Sequence, residues 1–163
     1  LYKARLFDNL DLAFEFETVS YQTYNPTQPE GRYLYMKRGL ATQFNDYVLG
    51  SLYANIYAPN WMPGLQLTPK VELLLQGEQT INQPLVFTYP DGTPLEYVLT
   101  GNEERTFRPS LSFRYQRDSS FWIEGNAGIN FVKDVNNQPG VDKTRFAGSL
   151  SLGVDFTVFS GSN

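Results

Sequence analysis

A chain of 163 residues has room for one domain with a sizeable core. Its formal charge of −4 comes without any basic stripe, so nucleic acid is not an expected partner. Histidine and cysteine are both absent, which removes Ser–His–Asp, Cys–His and His-based zinc chemistry from this chain, along with any disulfide framework.

Period-two alternation starts near the amino end. Residues 2–6 form a first short strand, and the chain opens at Leu1 without the basic and apolar regions of a secretory leader, as expected of a mature form or a piece of a longer chain. Leu10, Leu12, Phe14 and Phe16 alternate with Asp11, Ala13, Glu15 and Glu17, a two-faced strand. Residues 22–31 carry Pro26, Pro29 and Gly31 and are expected to be a loop. Residues 32–38 are expected to form a wall strand, and 47–57 another whose two faces are both partly apolar. A turn over 58–64 leads into Leu65, Leu67, Val71, Leu73 and Leu75, alternating with Gln66, Thr68, Lys70, Glu72 and Gln76. Pro69 here and Pro109 later sit on the apolar face. Lacking a backbone donor, each is expected to mark a bulge, a bend or a strand end.

The connection over 77–104 is the longest. Tyr89-Pro90-Asp91-Gly92-Thr93-Pro94 inside it is a turn signal, around which Leu85–Tyr89 and Leu95–Leu99 are expected to pair. Three long strands close the chain. In the first, Phe107, Pro109, Leu111, Phe113 and Tyr115 oppose Arg108, Ser110, Ser112, Arg114 and Gln116. After the turn at 118–120, Phe121, Ile123, Gly125, Ala127, Ile129 and Phe131 oppose Trp122, Glu124, Asn126, Gly128 and Asn130. After the loop at 133–142, Phe146, Gly148, Leu150, Leu152, Val154, Phe156 and Val158 oppose Arg145, Ala147, Ser149, Ser151, Gly153, Asp155 and Thr157.

These strands are about twice the usual 5–6 residues of globular proteins and match the ~9–11 of a transmembrane strand. Phe121 and Phe131 are ten positions apart on the apolar face, as are Phe146 and Phe156, a rise of about 25 Å in a tilted strand, the height of an outer-membrane apolar band. The four are candidate aromatic girdle residues. Arg108, Arg114, Glu124, Arg145 and Asp155 become candidate lumen charges, either a constriction that selects solutes or a set of internal ion pairs. The bland alternative is a solvated sheet face.

The expected fold is therefore all-β: an antiparallel up-and-down transmembrane barrel of about eight strands over 1–163, or the carboxyl-terminal portion of a larger barrel. Barrel turns are short on the periplasmic side and long outside. With eight wall strands counted, the 22–31 loop falls on the short-turn side, out of keeping with its length.

The carboxyl end resembles the assembly signal of bacterial outer-membrane β-barrel proteins, with Ser151, Gly153, Phe156 and Val158 at the polar, glycine and two hydrophobic positions and Phe159 adjacent. It departs from the usual form in that Ser160-Gly161-Ser162-Asn163 follows the last aromatic. The resemblance implies residence in the outer membrane of a Gram-negative-type bacterium, contact with outer-membrane lipid, and edge pairing with the barrel assembly machinery. Residues 64–69 and the strands after them are similar to large barrel proteins of capsule assembly, which would add surface polysaccharide, or other subunits, as partners. The implied role is structural, passive transport or surface attachment. The alternative is a soluble β-sandwich or lipocalin-like binding module for carbohydrate, with Trp61, Tyr89 and Tyr97 to stack on sugars. Neither Glu15/Glu17 nor Glu103/Glu104 forms a catalytic dyad. Asp134, Asp142 and Asn136-Asn137 lack calcium-loop spacing. No enzyme activity, cofactor or metal is expected.

Overall fold

The computed structural model describes residues 2–23, 34–35, 38–39, 45–57, 62–80, 86–116 and 121–154. Among these residues nine strands follow in chain order: β1 (Tyr2–Phe7), β2 (Leu10–Val19), β3 (Leu34–Tyr35), β4 (Arg38–Gly39), β5 (Tyr47–Tyr57), β6 (Leu65–Gln76), β7 (Glu104–Gln116), β8 (Phe121–Lys133) and β9 (Lys143–Val154). Seven make one antiparallel up-and-down sheet in the order β1-β2-β5-β6-β7-β8-β9. The protein is all-β, and its one helical turn among the described residues is the 3-10 segment Val135–Asn137. The sheet is open between β1 and β9.

Of the expected wall strand at 32–38, the described residues 34–35 and 38–39 are not part of this sheet. β3 and β4 are two residues each and pair only with one another. β2 and β5 already occupy each other's edges through ten consecutive pairs, from Leu10↔Ile56 to Val19↔Tyr47. Among the described residues the sheet has seven strands where about eight were expected, and the 20–46 connection falls at the same end as the other long ones. The connections over 20–46, 77–103 and 134–142 all leave one end of the sheet. Those over 8–9, 58–64 and 117–120 leave the other.

The prolines also differ from expectation. Pro69 pairs with Leu111 and Pro109 with Val71 in a β6–β7 ladder that runs unbroken from Leu65↔Tyr115 to Gln76↔Glu104. There is no bulge and no strand end. The missing donors are felt on the other edges instead. The β5–β6 ladder jumps from Tyr53↔Lys70 to Ile56↔Leu67, and the β7–β8 ladder from Phe107↔Phe131 to Ser110↔Gly128, without a change of register. The 85–99 hairpin is realised in miniature, as a bridge between Thr88 and Pro94 with Tyr89 N–H donating to Thr93 O at 2.8 Å. Leu85 lies outside the described residues.

Paired residues share a face, so the ladders extend the alternation of each strand across the sheet. One row runs Phe16, Gly50, Leu73, Phe107, Phe131, and another Leu12, Ala54. The resulting face is apolar over all seven strands. It is also the exposed one: Phe14, Phe16, Leu52, Val71, Leu73, Phe107, Leu111, Phe131, Phe146, Leu150 and Leu152 are all open, with Phe146 at 75% and Leu150 at 70%. No second layer covers it among the described residues, where packing runs between neighbouring strands. Burial is on the polar side. Asp11, Ala13, Val19, Tyr47, Ser51, Leu74 and Thr106 are all buried there. The polarity is that of a soluble sheet turned inside out.

At the long-loop end a carboxylate ties the connections together. Asp46 is fully buried with φ at 57°. Its Oδ1 accepts Leu99 N–H at 2.6 Å, and its Oδ2 accepts Thr100 N–H at 3.1 Å, Gln79 N–H at 3.3 Å and the Thr100 hydroxyl. Its carbonyl takes Gly77 N–H at 2.8 Å. Gly77 is a glycine of necessity, since a Cβ there would lie 2.1 Å from Asp46 Oδ2. Beside it Asn45 Nδ2 donates to Tyr21 O at 3.0 Å. Three distant segments thus meet on two adjacent residues. Asp46→Ala leaves these donors buried without an acceptor, at an expected cost of roughly 2–3 kcal/mol. Hydrogen exchange should show it as faster exchange at Gln79, Leu99 and Thr100, with β6–β8 amides unchanged.

Candidate functional site

The inner face of β6–β9 carries most of the chemistry. Glu72 on β6 stands opposite Arg108 on β7, and Arg108 Nη1 donates to Glu72 Oε1 at 2.6 Å while Lys70 Nζ lies 2.8 Å from Oε2. Glu72 is nearly buried and the two cations half-exposed. Towards the short-turn end, Arg114 and Glu124 face each other across β7 and β8, and Ser151 continues the row on β9. Between these levels Asn126 Nδ2 donates to Ser149 Oγ at 2.7 Å. Thr68 Oγ1 donates to Asn55 Oδ1 at 2.9 Å.

These side chains line two adjoining hollows. The larger, about 320 Å³, runs over Gln66, Thr68, Arg114, Glu124, Asn126 and Ser151. The other, about 220 Å³, runs over Lys70, Glu72, Arg108, Ser110 and Asn130 and shares Ser112 and Asn126 with the first. Together they make one groove along the inside of the sheet, furnished with both charges and many neutral donors and acceptors. Such a surface can hold water and small polar solutes.

A second charged group lies on β1, β2 and β5. Asp11, 2% exposed, receives Lys3 Nζ at 3.0 Å, Arg5 Nε at 3.0 Å and the Tyr57 hydroxyl at 3.1 Å. Nearer the long-loop end the Tyr47 hydroxyl donates to Glu17. Sequence alternation puts Asp11, Glu17, Lys70 and Glu72 on polar faces, but only the register shows which of them meet.

Of the expected lumen charges, Arg108, Arg114 and Glu124 come together on β7 and β8. Arg145 shares their face on β9, opposite Asn130. Asp155 lies outside the described residues. Phe131 stacks on Phe107, ring centroids 6.3 Å apart, on the apolar face near the long-loop end. Just beyond, Arg105 and Lys133 pair and end the apolar band. Phe146 is one row further in, opposite Ile129, and Phe121 lies at the short-turn end opposite Val154. Phe156 and Val158 fall outside the described residues, as does Trp61.

Ser151 and Gly153 face the inside. Gly153 has a local cause of its own: it stands opposite Trp122, and a Cβ there would lie 2.1 Å from the indole. The ring occupies the space that a side chain would take. In the loops, Tyr97 is open to solvent, whereas Tyr89 is tied down. Its hydroxyl donates to Glu96 and accepts Gly101 N–H at 2.8 Å. Asp134 Oδ1 accepts Gly140 N–H at 2.7 Å and Asp142 Oδ1 accepts Asp134 N–H at 3.3 Å, so these carboxylates serve the loop that carries them.

Gly153→Ala should destabilise the folded protein by about 1–3 kcal/mol through overpacking against Trp122. Trp122→Leu in the same chain should recover most of the loss, a coupling that a thermal-unfolding double-mutant cycle reads directly. The Tyr89–Glu96 hydrogen bond holds the phenol above its ordinary pKa and the carboxyl below its own. The bond therefore steadies the loop between the two: it is lost as pH falls through the lowered Glu96 value and as pH rises through the raised Tyr89 value. Glu96→Gln should bring the Tyr89 titration, followed by ultraviolet difference absorbance, back down.

No family model, curated protein or solved structure matches the chain.

Proposed function

We propose that this chain forms wall strands of an integral outer-membrane β-barrel, with the apolar face against lipid and the groove of Lys70, Glu72, Arg108, Arg114 and Glu124 facing the lumen. One observation carries the reading: a charge-free, exposed apolar face spans seven strands, bounded by Arg105 and Lys133, while the buried and ion-paired groups sit on the opposite face. In water such a face would be among the largest apolar patches a monomer could expose. In hydrocarbon it is the required surface, and the ladders satisfy the backbone of the strands between the two edges. Strand lengths of 10–13 residues in β2 and β5–β9 fit a tilted crossing.

The role this supports is passive: a wall whose inner face offers water-filled, hydrogen-bonding surface to polar solutes, with Lys70, Arg108 and Arg114 balanced by Glu72 and Glu124. Long connections at one end and short turns at the other support an orientation with the long ones outside the cell and the short ones in the periplasm. A lipocalin-like carbohydrate module would need the reverse polarity, with its apolar residues lining the inside. Exposed Tyr97 on the outward loops leaves surface attachment through those loops as a compatible accessory role.

Neighbours on β9 supply the test. Leu150→Arg puts a cation in mid-band on the lipid side, an expected cost of about 2–4 kcal/mol. Ser149→Arg puts the same cation inside, where it should be tolerated. Folding titrations into lipid vesicles measure both. Equal tolerance of the two, or release of the native protein from membranes by carbonate without detergent, overturns the reading.

A further inference from the structure

The seven-strand count constrains what completes the wall. Every neighbouring pair in the sheet is antiparallel, so directions alternate from β1 to β9. With an odd number of strands, β1 and β9 run the same way, both from the long-loop end to the short-turn end. Joining them directly would make a parallel ladder. A second copy related by an axis along the membrane normal meets the same obstacle, since it would set β1 of one copy parallel to β9 of the other. Rings of any number of identical copies fail alike.

Yet neither edge is paired among the described residues. β9 is exposed on both faces over almost its whole length, and β1 is nearly as open. An open edge in hydrocarbon leaves backbone donors and acceptors without partners, which lipid does not tolerate. The orientation adds a second constraint. On the membrane reading on which this inference rests, β1 and β9 both run from the outer surface towards the periplasm, so antiparallel pairing with both edges takes one strand, or another odd number, between them.

We propose that an odd number of additional wall strands, different in sequence from these seven and belonging to the same polypeptide, lies between β9 and β1 and closes the barrel. They pair antiparallel with both edges and carry apolar residues outward and polar residues inward, in register with the rows that end at Ala4 and Gly148. Their inner faces continue the groove past Arg145, Ser149 and Ser151, which are otherwise its rim.

A photo-cross-linking residue at Ala4 on β1 and, separately, at Ala147 on β9 tests this in the natural full-length product in its own membrane. The cross-linked peptides are identified by mass spectrometry. The expected partner is a peptide of the same polypeptide outside residues 2–154, with no transfer of isotope label between copies grown in light and heavy medium. A direct β1–β9 cross-link overturns the proposal in favour of a parallel seam. A cross-link between light and heavy copies overturns it in favour of self-association, and one to an unrelated protein, or none at either edge, overturns it too. A spin label at Leu150 reports the membrane reading separately: relaxation by oxygen rather than by an aqueous nickel chelate keeps that reading even where closure fails.

Discussion

Six ladders kept in register are the constraint on which everything else in this structure depends. Side chains alternate with a period of two, so a slip of one residue in any ladder would send half of one strand's apolar residues inward and its charges outward. No such slip accumulates. Residues paired across β2, β5, β6, β7, β8 and β9 keep a single apolar side, and among the described residues the register shifts only between Arg5 and Phe7 at the β1 margin. The Glu72–Arg108 ion pair forms only because of this. Glu72 meets Arg108, and Arg114 faces Glu124, at positions that the backbone pairing has already aligned.

The separation of faces is also what reconciles the buried charges with stability. A carboxylate such as Asp11 is costly to bury without partners, and it has three. On the polar side such groups can be served by one another and by water. On the opposite side no carboxylate or ammonium would find a partner, and the sequence places none between the Phe107–Phe131 stack and the short-turn end.

Much of this was legible in the residues. Phe107 to Gln116 and Phe121 to Phe131 alternate so cleanly that their faces follow from the order of letters, and the shared polar face of Arg108, Arg114 and Glu124 rests on nothing more. The segment at 32–38 misled because its alternation is local, whereas membership of a sheet is decided by which edges are still free; β2 and β5 had taken each other's. The prolines misled for a related reason. A missing donor matters only on the side where the ladder needs it, and the sequence does not say which side that is. Asp46 was invisible. Its role depends on amides from residues 79, 99 and 100, and no pattern of spacing announces a carboxylate that binds backbone. Gly153 was noticed as part of a short motif, but the indole that requires it lies on the neighbouring strand.

The knot at Asp46 has an evolutionary corollary. Surface loops are ordinarily free to diverge, because each is anchored only at its own two strands. Here the connection ending at Asp46 and the connection running from Gly77 to Thr100 share one carboxylate, so neither can be shortened, lengthened or exchanged by itself without stranding donors in the other. Variation in these two surface segments should therefore be inherited as matched pairs, and a graft of one loop from a relative should succeed only when its counterpart travels with it.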